Sequence, residues 1–188
     1  MPMAFNAEQG ECMTWLIILF VLMLVISPVL WLKPSPRQRR VMRLRNTARE
    51  AGVVVKLQTP PFHEARGVMP AYRWVYPPQQ PGPDFVLVRD AHAAEALAPF
   101  AHGWRWRVEP LRPLSAEALA RLDSLLTRLP MDAQVLESRP AAMTLWWWES
   151  QDAARFATYV EDFTALRKDL AGRPDRPEAH LPLEGHGP

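Results

Sequence analysis

The chain of 188 residues holds one cysteine, Cys12, and eight glycines. A lone thiol excludes an intramolecular disulfide framework, leaving an interfacial thiol or an intermolecular pair as its readings. Paired-cysteine metal motifs, a glycine-rich phosphate loop, an HExxH helix and a serine nucleophile elbow are all missing. No cofactor or metal is therefore implied, and the chain is expected to be non-catalytic. Lys and Arg are absent from the first 32 residues. A secretory signal needs a basic amino-terminal region, a shorter apolar core and a small-residue cleavage site, so cleavage is not expected. A lipoprotein cysteine would follow an apolar segment, whereas Cys12 precedes one.

That segment, residues 13–32, has no charged side chain. About twenty apolar residues match a hydrocarbon thickness of roughly 30 Å, which predicts a single transmembrane helix over 13–32. Trp15 and Trp31 would mark its two interfaces. Glu8 and Glu11 precede it, while Lys33, Arg37, Arg39, Arg40, Arg43, Arg45 and Arg49 follow. The positive-inside rule then predicts a bacterial inner-membrane, single-pass protein with its amino terminus outside and its carboxyl-terminal domain cytoplasmic. Trp15, Trp31, Lys33, Arg37, Arg39, Arg40 and Arg43 are the expected membrane-interface residues.

The positive charge is local. Residues 1–50 carry seven basic and three acidic side chains, and residues 51–188 carry fifteen and seventeen. The larger part is thus no nucleic-acid surface. The expected organisation is a short external tail (1–12), the membrane helix (13–32), a basic juxtamembrane helix (33–52), an α+β domain (53–172) and a disordered tail (173–188).

Ser35 suits a helix cap and Pro36 the first helical position, and Val41, Leu44, Ala48 and Ala51 recur at helical spacing. Strands are expected at 53–58, 71–76, 85–89 and 104–109, the last with Trp104, Trp106 and Val108 on one face. Alanine-rich 91–100 reads as a short helix. Ser115 opens a helix with a leucine stripe ending before Pro130, residues 133–137 and 143–149 form a hairpin, and a last helix follows Ser150 and ends at Gly172. This order predicts a mostly antiparallel sheet with two long helices on one face, with a ferredoxin-like core as its specific version.

Two groups of residues invite functional readings. Asp90, His92, Glu95 and His102 crowd one loop and helix, where acid and base groups are useful once within hydrogen-bond reach, but their spacing matches no ligand pattern. Surface histidines are the favoured reading, with a membrane-tethered enzyme using Asp90, His92 or His102 as the alternative. Trp146, Trp147 and Trp148 alternate if they lie in a strand, putting Trp147 with Met143 and Leu145 and turning Trp146 and Trp148 to the other face. Those two indoles are the candidate partner contacts, unless the proline-rich loops cover them.

The apolar segment running into Trp31, Leu32, Lys33, Pro34, Ser35, Pro36, Arg37, Gln38, Arg39 and Arg40, followed by a basic helix and the strand near 53–57, resembles YajC, the small accessory subunit of the bacterial preprotein translocase. The resemblance covers residues 13–58, and 59–188 fall outside it. It implies a membrane accessory protein without catalysis. The partners expected are the lipid bilayer and either a membrane protein or a second copy, and an anionic-lipid-binding module built on the arginines from 37 to 49 is a further alternative.

Overall fold

The computed structural model describes residues 13–24, 34–61 and 67–175. The chain divides into two compact units, 1–39 and 40–188. In the first, residues 13–24 are helical and every one of them is exposed. Among the described residues no helix is long and apolar enough to cross a membrane, which overturns the transmembrane helix expected over 13–32. Residues 25–33, with Trp31 and Lys33, lie outside the described residues, as does the tail beyond 175.

Helix α1 spans Pro36–Glu50. Its start is a reciprocal capping box: the Gln38 amide donates to Ser35 Oγ, and the Ser35 amide donates to Gln38 Oε1 at 2.7 Å. Gly52, at φ 78°, turns the chain into the first strand.

The second unit is an α+β domain with a seven-stranded sheet in which every pair is antiparallel. The strands are β1 (Val54–Gln58), β2 (Met69–Val75), β3 (Phe85–Arg89), β4 (Ala98–Pro99), β5 (Trp104–Val108), β6 (Ala133–Arg139) and β7 (Ala142–Trp147), in the order β1-β2-β7-β6-β3-β5-β4. Helix α2 (Ala116–Arg128) joins β5 to β6, and α3 (Ala153–Leu170) follows β7. The strand between β5 and β6 is β3, and β7 lies outside β6, so the ferredoxin-like order is replaced by another. The short helix expected at 91–100 is also replaced. A single 3₁₀ turn, Asp90–His92, leads to β4, because the backbone of 98–99 pairs with β5 instead of closing helical turns.

One sheet face takes all three helices. Leu44 and Ala48 of α1, Leu122, Leu125 and Leu126 of α2, and Phe156, Phe163 and Leu166 of α3 share a core with Tyr72, Trp74, Leu136, Leu145 and Trp147. Trp74 stacks on Phe163 with ring centroids 4.3 Å apart, and Trp147 stacks on Phe156. Asp152, two residues beyond the expected Ser150, caps α3 by accepting from the Arg155 amide, while Ser150 itself donates to Asp132. The opposite face holds a smaller cluster of Met69, Ala71, Val86, Val88, Val135 and Trp146. Arg107 on β5 donates to the Pro61 carbonyl at 2.6 Å, drawing the β1–β2 connection toward the far strands. On a flat sheet β1 and β5 would stand about 24 Å apart, beyond the reach of three residues and an arginine side chain, so the sheet curls toward this face.

The two ends of the sheet differ. At one, β7 finishes, β6 and β2 begin, α2 ends and α3 starts. At the other, the Tyr76 hydroxyl shares a hydrogen bond with Ser138, and Gly82 packs so closely that a Cβ there would lie 2.3 Å from the Tyr76 ring. Asp175 closes this second end, accepting from the Asp84 and Leu111 amides, three residues into the tail expected to be disordered.

Candidate functional site

The first end is organised by Glu149. Its side chain is 5 % exposed, and Arg45 grips it with two bonds, Nε to Oε1 at 2.6 Å and Nη2 to Oε2 at 2.7 Å. The Tyr72 hydroxyl adds a bond at 2.9 Å to Oε1. Helical geometry explains the reach: Arg45 follows buried Leu44 by about 100° around α1, at the border of the buried face. A bidentate, charge-assisted pair of this kind is geometrically demanding and strong. The hydrogen bonds that Arg45 donates to Glu149 raise the Arg45 pKa, and burial, with Glu149 beside it, pushes the Tyr72 hydroxyl far up. Glu149 adopts φ 57°, an uncommon conformation for a side-chain-bearing residue, which swings its carboxylate toward α1 as the strand ends. Arg40 Nη2 donates to the Glu149 carbonyl at 3.2 Å.

This clasp divides the arginines that the sequence presents as one group. Arg45 is neutralised by Glu149, and Arg40 is held against a carbonyl. Arg37, Arg39 and Arg43 are exposed, and among the described residues Arg37, Arg39, Arg40 and Arg43 form no ion pair. α1 therefore carries unneutralised positive charge on a helix that is locked to the domain from Arg40 onward.

The tryptophans separate as the period-two reading requires, Trp147 joining the helix-side core and Trp146 the opposite cluster. Trp146 is only 5 % exposed, whereas Trp148 is 48 % exposed, so of the two candidate contacts only Trp148 presents an indole to solvent. Asp132 ties the turn after α2 to this same end by accepting from both the amide and the hydroxyl of Ser150. Its neighbour Met131 is 81 % exposed.

Asp90 and His102 engage different partners. The Asp90 carboxylate accepts from Arg105 Nε at 2.9 Å, and His102 Nε2 lies 3.0 Å from Asp123 on α2. Arg105 also donates to the Glu95 and Leu97 carbonyls, which makes this group a staple for the loop between β3 and β4. Beneath it, buried Arg89 lies 4.5 Å over the Trp104 ring and donates to the carbonyls of Leu129, Pro130 and Ala133, satisfying the carboxyl end of α2. Burial lowers its pKa, with Asp132 and Asp90 opposing the shift.

A cleft of about 200 Å³ at the other end is lined by Arg112, Ser115, Leu170 and Arg173, with Ser115 already engaged in capping α2. Among the described residues no group of three or more His, Cys, Asp or Glu side chains is placed to hold a metal ion.

The feature that sequence reasoning missed is Glu149. Its partners lie 104 and 77 positions away, and nothing local marks it apart from an acidic residue closing a tryptophan run. Trp15, the remaining expected interface residue in the described region, is 70 % exposed, as befits a segment with no packed side. Comparison with protein-family models, curated proteins and solved structures returned no match, so none of them bears on the resemblance to YajC.

Proposed function

We propose that the chain is a non-catalytic interaction module held at a lipid bilayer, with residues 13–24 seated in the apolar phase and the folded domain displayed to a membrane-protein partner or a second copy. The observation that carries this reading is the unbroken exposure of residues 13–24, where Leu16, Ile17, Leu19, Phe20 and Met23 are each at least 60 % exposed. A continuous apolar surface of that kind needs cover, and the unpaired arginines that follow favour an anionic bilayer as the cover. The accessory role implied by the likeness to YajC belongs to the same class. A membrane-tethered enzyme at Asp90, His92 or His102 has less support, because Asp90 is bonded to Arg105 and His102 to Asp123.

Flotation of the full chain with vesicles containing phosphatidylglycerol tests the reading. The full chain is expected to rise with the lipid, and a chain lacking residues 13–24 to stay in the dense fraction. A full chain that stays dense with every vesicle composition, or a deletion that floats equally well, would overturn it.

A further inference from the structure

We infer that the Glu149 end of the domain is itself a lipid-contact face, built to lie against anionic phospholipid headgroups with Trp148 and Met131 as apolar contacts and Arg40 and Arg43 as charge contacts. The inference rests on the membrane-held reading above and goes beyond it by assigning an orientation and a set of contact residues to the folded domain.

Three observations converge on this end. Trp148 and Met131 are large apolar side chains left substantially exposed, and the Asp132–Ser150 bonds hold their two loops together. An indole with an apolar body and a hydrogen-bonding NH is suited to the headgroup level of a bilayer. Arg40 reaches the same place through the Glu149 carbonyl, and neither it nor Arg43 is neutralised by a carboxylate among the described residues. Of the carboxylates at this end, Glu149 faces inward and is neutralised by Arg45, while Asp132 and Asp152 accept hydrogen bonds from Ser150 and from the Arg155 amide. Among the described residues the opposite end has no exposed indole: there Leu111 is the exposed apolar side chain, beside Arg112.

The test uses the full chain with Cys12→Ser, carrying a single polarity-sensitive nitrobenzoxadiazole label at Met131→Cys or, separately, at Leu111→Cys. On vesicles containing phosphatidylglycerol, the label at 131 is expected to brighten and shift to the blue while the label at 111 stays as in buffer. Arg43→Gln should weaken this docking about fivefold, the effect of one headgroup-level arginine. Rising salt should reverse it. If the chain floats but the two labels respond alike, or neither responds, this inference fails and the membrane-held reading stands. An undiminished response on purely zwitterionic vesicles would remove the role given to the arginines. If the labelled chain does not float at all, the membrane-held reading itself falls.

Discussion

Glu149 and Asp90 are two carboxylates with similar partners and very different surroundings. Each receives an arginine Nε, at 2.6 Å and 2.9 Å, and each lies just past the end of a strand. Glu149 is 5 % exposed and takes a second nitrogen and a tyrosine hydroxyl, whereas Asp90 is 49 % exposed and faces solvent. Burial makes the first a structural joint between α1 and the sheet. The second is a surface staple whose charge is screened by water. Clustering of ionisable residues in the sequence pointed to Asp90, yet the isolated glutamate is the one that organises the fold.

The comparison can be broken first by removing the arginine from the buried pair. Arg45→Met leaves the Glu149 carboxylate buried with only Tyr72, and urea denaturation is expected to register a loss of about 3 kcal/mol or more. Glu149→Gln is milder, about half as large, because Arg45 is already 28 % exposed and can turn toward water.

The pH dependence sharpens the contrast. Burial, assisted by Glu149, raises the Tyr72 pKa, and burial pushes Tyr76 up to about 12. Both tyrosines hold their protons more tightly when folded, so their contribution is fully present below about pH 10, the value of an unfolded tyrosine. It is lost as pH rises from there, for Tyr76 through about 12, at on the order of 1 kcal/mol per pH unit for each group. Tyr72→Phe should flatten the slope measured by urea denaturation above pH 10. The smallest effect belongs to the exposed pairs: Asp90→Asn and His102→Ala should each change stability by less than about 1 kcal/mol, and salt should erase most of that.

Much of the fold was legible because it follows local periodicity. The alternation in 104–108 and the leucine stripe of α2 placed those elements to within a residue or two, and 85–89 was placed to the residue. The errors fall where distant contacts decide. Alanine-rich 91–100 has helix propensity, but its carbonyls at Glu95 and Leu97 bond to Arg105, and Ala98 and Pro99 pair with β5. Period two placed Trp146 on the correct face, while its burial depends on partners in β2, β3 and β6 that no local pattern announces. The apolar run was plain to see, and its reading as a spanning helix gives way because no helix among the described residues is long and apolar enough to cross a membrane. The partition of the arginines was illegible for the same reason as Glu149, since Arg45 differs from Arg43 only in what lies across the fold.

Hydrogen–deuterium exchange on the full chain, free and bound to phosphatidylglycerol vesicles, tests the central claim most directly. Added protection is expected at 13–24, at the first turns of α1 and around 131–132 and 148–150, with exchange near 109–112 unchanged. Protection that stopped at 13–24, or that spread equally to both ends of the sheet, would contradict a domain that meets the bilayer through its Glu149 end.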